Sequence, residues 1–517
     1  MTRFFKVSAL FALIACGVWV AVLWHWQATA RDIGTRDIVT YLGALPLTLF
    51  GLALLTRWAW TGMAEKQAQV AAAEASAAAK AAPAVAASED AARHVTVKLL
   101  AASLVCAAGT SASELQSAAK DGAPRPALDA ELHDEDGLPI VTARIAGLDI
   151  SAMTTLLEPL LSATRARRPE WAELAPGEHV VRALAALEVP IAATVDALLP
   201  WSARFAAEPA TGSAGAANAA VERESERRVR VLLGWPGDWS AFEQELGRAC
   251  VADWLAVNGG SKIAARSFAI SVHAGTGEDL LLHADRLLQT LAREGRDEPV
   301  IVAACYSAIS VAAVEAMERA GTLYGPKRPK GQMPGEAAAA LVLAGAAWPA
   351  APDTHADADA PLPHLHRPSL LRRDKSVDAA GRISSEVIGQ AIAQALATSR
   401  IGADALAGLV CDADLHTPRA AEFFGASVGL LPALDSTEDM RLLGTIAGAV
   451  GAVSSLLVVA CAAERAVAGE KPQLALTLGD AFARLALVVL PAPPPPDKAD
   501  ETAKSAASTN AMKPSAA

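Results

Sequence analysis

The chain has 517 residues, 52% of them hydrophobic and 5% aromatic, with 56 acidic against 45 basic side chains and a formal charge of -11. That length exceeds one ordinary domain, and the apolar content allows a large core alongside membrane segments. No basic block offsets the acidic balance, which excludes nucleic acid as a partner; the six cysteines (Cys16, Cys106, Cys250, Cys305, Cys411, Cys461) form no CxxC pair and no regular spacing, which excludes a disulfide framework and a zinc site.

Residues 7–26 are an apolar run long enough to cross a bilayer as a helix, and residues 38–56 are another. Trp24, Trp26, Trp58 and Trp60 stand at their ends, as in an interfacial aromatic belt. Arg3 and Lys6 precede the first run and Arg57 and Lys66 follow the second, whereas Arg31 and Arg36 between them are offset by Asp32 and Asp37. The positive-inside rule then predicts a two-helix transmembrane hairpin over 1–62 in a bacterial-type inner membrane, with both termini and the large domain cytoplasmic. The length of the first run and the second run directly behind it favour an uncleaved hairpin over a cleaved signal peptide. Residues 63–92, dominated by Ala and interrupted by Pro83, read as a helical stalk and linker; residues 492–517 read as a disordered Pro/Ala-rich tail.

Between them, alternating strands and helices come in two series. In the first, over 93–350, strands are predicted at 95–102, 140–146, 229–234, 268–272, 300–305 and 338–343, with helices at 112–121, 151–199, 239–255, 280–292 and 310–320. Residues 351–380 read as loop. The second series, over 381–491, has helices at 384–398, 420–424 and 445–467 and strands at 406–410, 473–478 and 485–490. Such an order implies largely parallel sheets with helices between and outside them.

The stretch SVHAGTGEDLLLHADRLL (271–288) organises the first series, because an apolar strand there meets a Gly-containing turn and a helix begins at once. An elbow of this kind can lift a nucleophile to the sheet edge and aim a helix N-terminus at it. The exposed position falls at Gly275, Thr276 or Gly277, with no Cys or Ser between Val272 and Leu288; a plain tight turn before a helix is the simpler reading.

Five further stretches resemble the β-ketoacyl synthase family of the thiolase-like fold: VKLLAASLVCAAGTSASELQSA (97–118), DGLPIVTARIAGLD (136–149), MPGEAAAALVLA (333–344), LGTIAGAVGAVSSLLVV (443–459) and TLGDAFARLALVVL (477–490). The third is similar to the family's Gly-Glu-Gly-Ala strand, with Ala337 for the second Gly; the fourth and fifth look like its Gly-His-Leu-Glu helix and its Gly-Phe-Gly-Gly-Thr-Asn hairpin. The resemblance implies an α/β, five-layer αβαβα sandwich of two similar halves. Such enzymes need a thiolate at the elbow and two imidazoles. The matching positions are Thr276, Ala413 (or, by a register slip, Asp414 or His416) and Thr445, and the hairpin carries Phe482 and Arg484. The resemblance therefore implies a pseudoenzyme, with a candidate pocket of Thr276, Asp414, His416, Thr445, Phe482 and Arg484 in which Phe482 and Arg484 act as plugs. It also implies pairing through the strand of residues 267–272, between Ser267 and Val272, into a homo- or heterodimer.

Other candidates have plainer readings. Glu278 and Asp279 complement the dipole of the elbow helix, and His273 and His283 flank it. His355, His364 and His366 with Asp353, Asp357 and Asp359 make a solvated loop rather than a metal site, Cys305 a buried structural thiol, and Lys327, Arg328 and Lys330 an exposed charged loop. No cofactor or metal is expected. The expected role is a membrane-anchored binding or scaffold component of an envelope assembly, a type VI secretion system among them. The alternative is a non-catalytic partner subunit of an active ketosynthase in polyketide or fatty-acid synthesis.

Overall fold

In a computed structural model the chain divides into two units, Met1–Ala92 and Arg93–Ala517. The structure describes residues 94–123, 125–205, 228–349, 362–379, 381, 383–414 and 416–491, together with Trp19 and Trp24. Apart from Trp19 and Trp24, the expected membrane runs at 7–26 and 38–56, the stalk and the 492–517 tail lie outside the described residues. Among those described, one helical stretch, Glu178–Arg204, is long and apolar enough to cross a membrane, and half of its most apolar window is buried inside the protein.

In chain order the elements are β1 (Val97–Cys106), α1 (Ala112–Asp121), β2 (Ala127–His133), β3 (Pro139–Thr142), α2 (Ile150–Arg167), α3 (Glu178–Leu198), β4 (Val229–Trp235), α4 (Ala241–Gly259), β5 (Phe268–Ala274), α5 (Gly277–Arg293), β6 (Val300–Ser307), α6 (Val311–Ala320) and β7 (Glu336–Gly345). The second series is β8 (His364–Leu365), β9 (Ser369–Arg372), α7 (Glu386–Ser399), β10 (Gly408–Cys411), α8 (Thr417–Leu430), β11 (Met440–Leu442), α9 (Gly444–Ala447), α10 (Val453–Gly469), β12 (Gln473–Thr477) and β13 (Ala483–Leu490).

Two predicted helices are broken. The run expected over 151–199 divides into α2 and α3 because Arg168, preceding Pro169, is pushed to the extended region (φ -140, ψ 112), where a helix cannot continue. The run expected over 445–467 divides at Gly448 (φ 70) and Gly451 (φ 53), left-handed conformations that only glycine adopts without strain. Strands β2, β8, β9 and β11 are not among those predicted; β8, β9 and β11 are two, four and three residues long, too short for a period-2 pattern to register.

Eleven strands make one sheet in the order β11-β10-β12-β13-β8-β1-β7-β6-β4-β5, with β9 also on β13, and β2 and β3 pair as a separate two-stranded sheet. Numbered within each series, β1 and β4–β7 lie in the order 3-2-4-5-1, and β9–β13 repeat that order. In both, the fourth and second strands pair in parallel, as do the second and third, and the fifth is antiparallel to its two neighbours. The topology is thus a duplication, stitched by β8, whose Leu365 pairs with Val97 on one side and Val489 on the other.

Side-chain alternation distributes the strands among three cores. Ala337, Ala339, Leu341 and Leu343 of β7, and Leu485, Leu487 and Val489 of β13, face a shared layer built on α5 and α10. The intervening residues of β7 face α3 and α4, and those of β13 face α7 and α8. Helix, sheet, helix, sheet, helix is the resulting order. It explains why β6, β7, β12 and β13 read as continuous apolar runs: both faces are covered. The two ends of the sheet differ. β11 has three residues, whereas β5 has seven, pairs among the described residues with β4 alone, and exposes Ser271, Val272, Ala274 and Gly275 along and just past the strand.

Candidate functional site

The elbow is present and the half-buried Thr276 stands at it, but its hydroxyl is committed to the helix. Thr276 is the N-cap of α5 in an extended conformation (φ -80, ψ 159); Oγ1 accepts from the Asp279 amide at 3.1 Å and donates to Asp279 Oδ2 at 3.0 Å. Both Asp279 oxygens accept from Arg372 Nη2 at 2.9 Å. The hydroxyl is thus tied to the first turn of its own helix, and the carboxylate beside it is occupied by the guanidinium. The next amide is also engaged, Leu280 N donating to the Thr276 carbonyl.

Immediately inside the elbow, α5 and α10 meet end to end. A Cβ on Gly277 would collide with the Ala452 carbonyl and lie 2.6 Å from Ser455 Oγ, so only glycine permits the approach. Glu278 then points into the protein with 2% of its surface exposed, and Oε1 has no hydrogen-bond partner among the described residues. Burial, with the Asp412 carboxyl as the second cause, pushes its pKa up to about 7. Asp412, directly after β10, is also buried; its oxygens accept from the amides of Leu478 at 2.6 Å and Gly479 at 3.1 Å, and burial raises its pKa too. The Ser455 hydroxyl is buried and unpartnered among the described residues, and the buried Thr477 hydroxyl stands beside Glu278, where it offsets part of the rise in its pKa. Gly444 closes over the Asp412 and Ala413 carbonyls, and Gly479 approaches Asp412 Oδ2, so the polar cluster is walled in by backbone. Sequence reading missed it: Glu278 was taken for a dipole-complementing acid, and the available signal was Asp412, a charge directly after the buried strand β10.

The remaining expected residues do not assemble into one pocket. Ala413 is buried and its amide contacts Cys411 Sγ at 3.3 Å. Asp414 accepts from the His416 amide at 3.0 Å and pairs with Arg419 at 3.3 Å. His416 Nε2 lies 3.0 Å from Asp378 Oδ1; burial and the nearby Arg419 lower its pKa. Thr445 Oγ1 donates to the Leu442 carbonyl at 2.7 Å. The expected plugs fail as plugs. Phe482 is 42% exposed at the surface, and Arg484 points to the opposite side of β13, away from the α5–α10 layer, where it meets Glu422 at 2.8 Å. The reason is strand parity: Leu485 and Leu487 take the inner face, which leaves position 484 the outer one.

His273 and His283 stack at 5.8 Å between ring centroids and 24° between planes. Burial is the main cause of a lowered His283 pKa. Asp353, His355, Asp357 and Asp359 lie outside the described residues, while His364 Nδ1 meets Thr96 Oγ1 at 3.2 Å; among the described residues no group of three or more His, Cys, Asp or Glu is placed to hold a metal. Cys305 is buried and its thiol pKa pushed up by that burial. Lys327 pairs with Asp136, and Arg328 Nη1 donates to the Glu318 carbonyl at 3.1 Å.

No protein-family model and no curated protein matches the chain. Among solved structures it is similar to the ishigamide ketosynthase/chain length factor, at 17% identity and a TM-score of 0.49 over 77% of this chain and 100% of that one. It is also similar to the ketosynthase from module 6 of the bacillaene synthase of Bacillus subtilis 168, at 11% identity and a TM-score of 0.48 over 76% and 71% of the two chains. A third is an oxazolomycin ketosynthase domain of Streptomyces albus JA3453, at 11% and 0.47 over 78% and 75%. The likeness concerns the fold and says nothing of activity.

Proposed function

We propose that this chain is a non-catalytic, ketosynthase-like protein that acts by binding a protein partner. The observation that carries the reading is the state of the elbow: Thr276 is a helix cap, its hydroxyl bound to an Asp279 carboxylate that Arg372 neutralises, in place of an activated nucleophile. The five described cysteines are buried, away from any exposed role. The unpaired seven-residue edge of β5 supports pairing through residues 267–272, either with a second copy or with an active ketosynthase whose partner subunit this chain would be. With the apolar runs at 7–26 and 38–56 as an anchor, the complex would sit at a membrane, as a scaffold in an envelope or secretion assembly does.

The test is incubation of the full chain with acyl-loaded carrier protein, read by intact mass. No acyl adduct is expected, and Thr276→Ala should cost about 1 kcal/mol of stability by loss of the cap. An adduct that Thr276→Ala removes would overturn the reading.

A further inference from the structure

The β2–β3 hairpin and the loop after α6 enclose an open cleft of about 620 Å³, within the range of ligand-binding sites. Its walls are apolar although they face water. Leu128 and Leu138 of the hairpin line it at 64% and 54% exposure, and Tyr324, Pro326 and Pro329 stand across from them. Exposed aliphatic side chains lining one cleft mark an interaction site rather than a piece of core.

The rim is acidic, and its carboxylates are held in place. Asp134 Oδ1 accepts from the amides of Asp136 at 3.0 Å and Leu138 at 2.8 Å, and Glu318 Oε1 accepts from the Glu135 amide at 2.7 Å. The two cations of the lining are already engaged, Lys327 by Asp136 and Arg328 by the Glu318 carbonyl. Four carboxylates, Asp134, Glu135, Asp136 and Glu318, thus face two basic groups, leaving the cleft complementary to a cation with apolar flanks.

Leu128 lies towards the open end of the hairpin and Leu138 at its turn, since Leu128 pairs with Val141 while the Asp134 amide donates to the Leu138 carbonyl. Leu138 is three residues along β3 from the position that faces Leu128, so at about 3.3 Å per residue the two leucines lie roughly 10 Å apart, within reach of two aliphatic side chains of one extended peptide. We propose that this cleft docks a segment of a partner protein that places a lysine or arginine between Glu135 and Glu318 and lays aliphatic side chains on Leu128 and Leu138. The proposal is independent of the reading of the elbow.

The experiment titrates the full chain against a fluorescein-labelled peptide of alternating lysine and leucine, and against its counterpart with glutamate for lysine, by anisotropy. Saturable binding of the basic peptide alone is expected, weakened about tenfold or more by Glu135→Lys and by Leu138→Ser, and weakened further by salt. Both side chains are exposed, so the fold survives the substitutions, and circular dichroism checks it. Equal binding of the acidic peptide, binding indifferent to both substitutions, or no saturable binding would overturn the proposal. So would full competition by spermine, which would make the site one for a small polyamine.

Discussion

Glu278→Gln is expected to raise the urea midpoint of the protein at pH 8 and to leave it nearly unchanged at pH 4. Glu278 ordinarily titrates near 4.5, and burial beside Asp412 lifts the folded value to about 7. Between those values the folded protein keeps a proton that the unfolded chain releases, so unfolding gains as pH rises. The stabilising protonated form is fully present below about 4.5 and is lost as pH climbs through about 7. At about 1.4 kcal/mol per unit, the penalty above pH 7 is on the order of 3 kcal/mol. Glutamine keeps the shape and never ionises, so the variant should exceed the wild type by about that amount at pH 8 and flatten the descent between pH 4.5 and 7. Asp480 adds to the repulsion on Glu278 but is a minor cause, and Asp412 remains, so a shallow slope from Asp412 should persist. An undiminished descent in Glu278→Gln would place the titration elsewhere. Asp279→Asn is the control: its side chain faces Arg372 at the surface, and it should weaken the cap while leaving the descent caused by Glu278 in place.

What the sequence made legible was governed by local rules. The alternation of strands and helices and the Gly-Thr-Gly turn are each set within a few residues, and each is found where expected. Helix continuity across Pro169 and Gly448 was misjudged because the apolar periodicity runs on through backbone positions that cannot be helical. The candidate site was half legible. Thr276 could be placed at the elbow from neighbouring residues, but which way Glu278 and Arg484 point depends on the packing of α5 against α10 and on the parity of β13. Those are long-range facts. A charged residue in an otherwise apolar strand suggests a surface or a plug; here its partner Glu422, 62 residues away, takes it into the outer layer instead.

That ion pair should be the most sensitive point in the second half of the fold. Arg484 and Glu422 are both fully buried; Arg484 donates from Nε at 3.0 Å and Nη2 at 2.8 Å to Glu422 Oε2, and Arg373 holds the other oxygen at 2.6 Å. Arg484 Nη1 also donates to the Asp480 carbonyl at 2.8 Å, which ties the turn before β13 to the helix. Removing one partner leaves the other charged and dry, so Arg484→Ala or Glu422→Ala is expected to cost about 3–5 kcal/mol. The pair itself need not be worth that much, because desolvating both ions offsets most of their attraction. Glu422→Leu with Arg484→Met should therefore recover most of the loss, with Arg373, partly open to water, able to turn outward. Chemical denaturation of the wild type, Glu422→Leu, Arg484→Met and the double variant as a double-mutant cycle reads the coupling directly. If Arg484 instead blocked a pocket beneath the elbow, Arg484→Ala would unfold at nearly the wild-type midpoint while admitting a hydrophobic dye. A large destabilisation rescued by the apolar pair assigns Arg484 to joining β13 with α8, and leaves the α5–α10 interface closed by its own glycines and by Glu278.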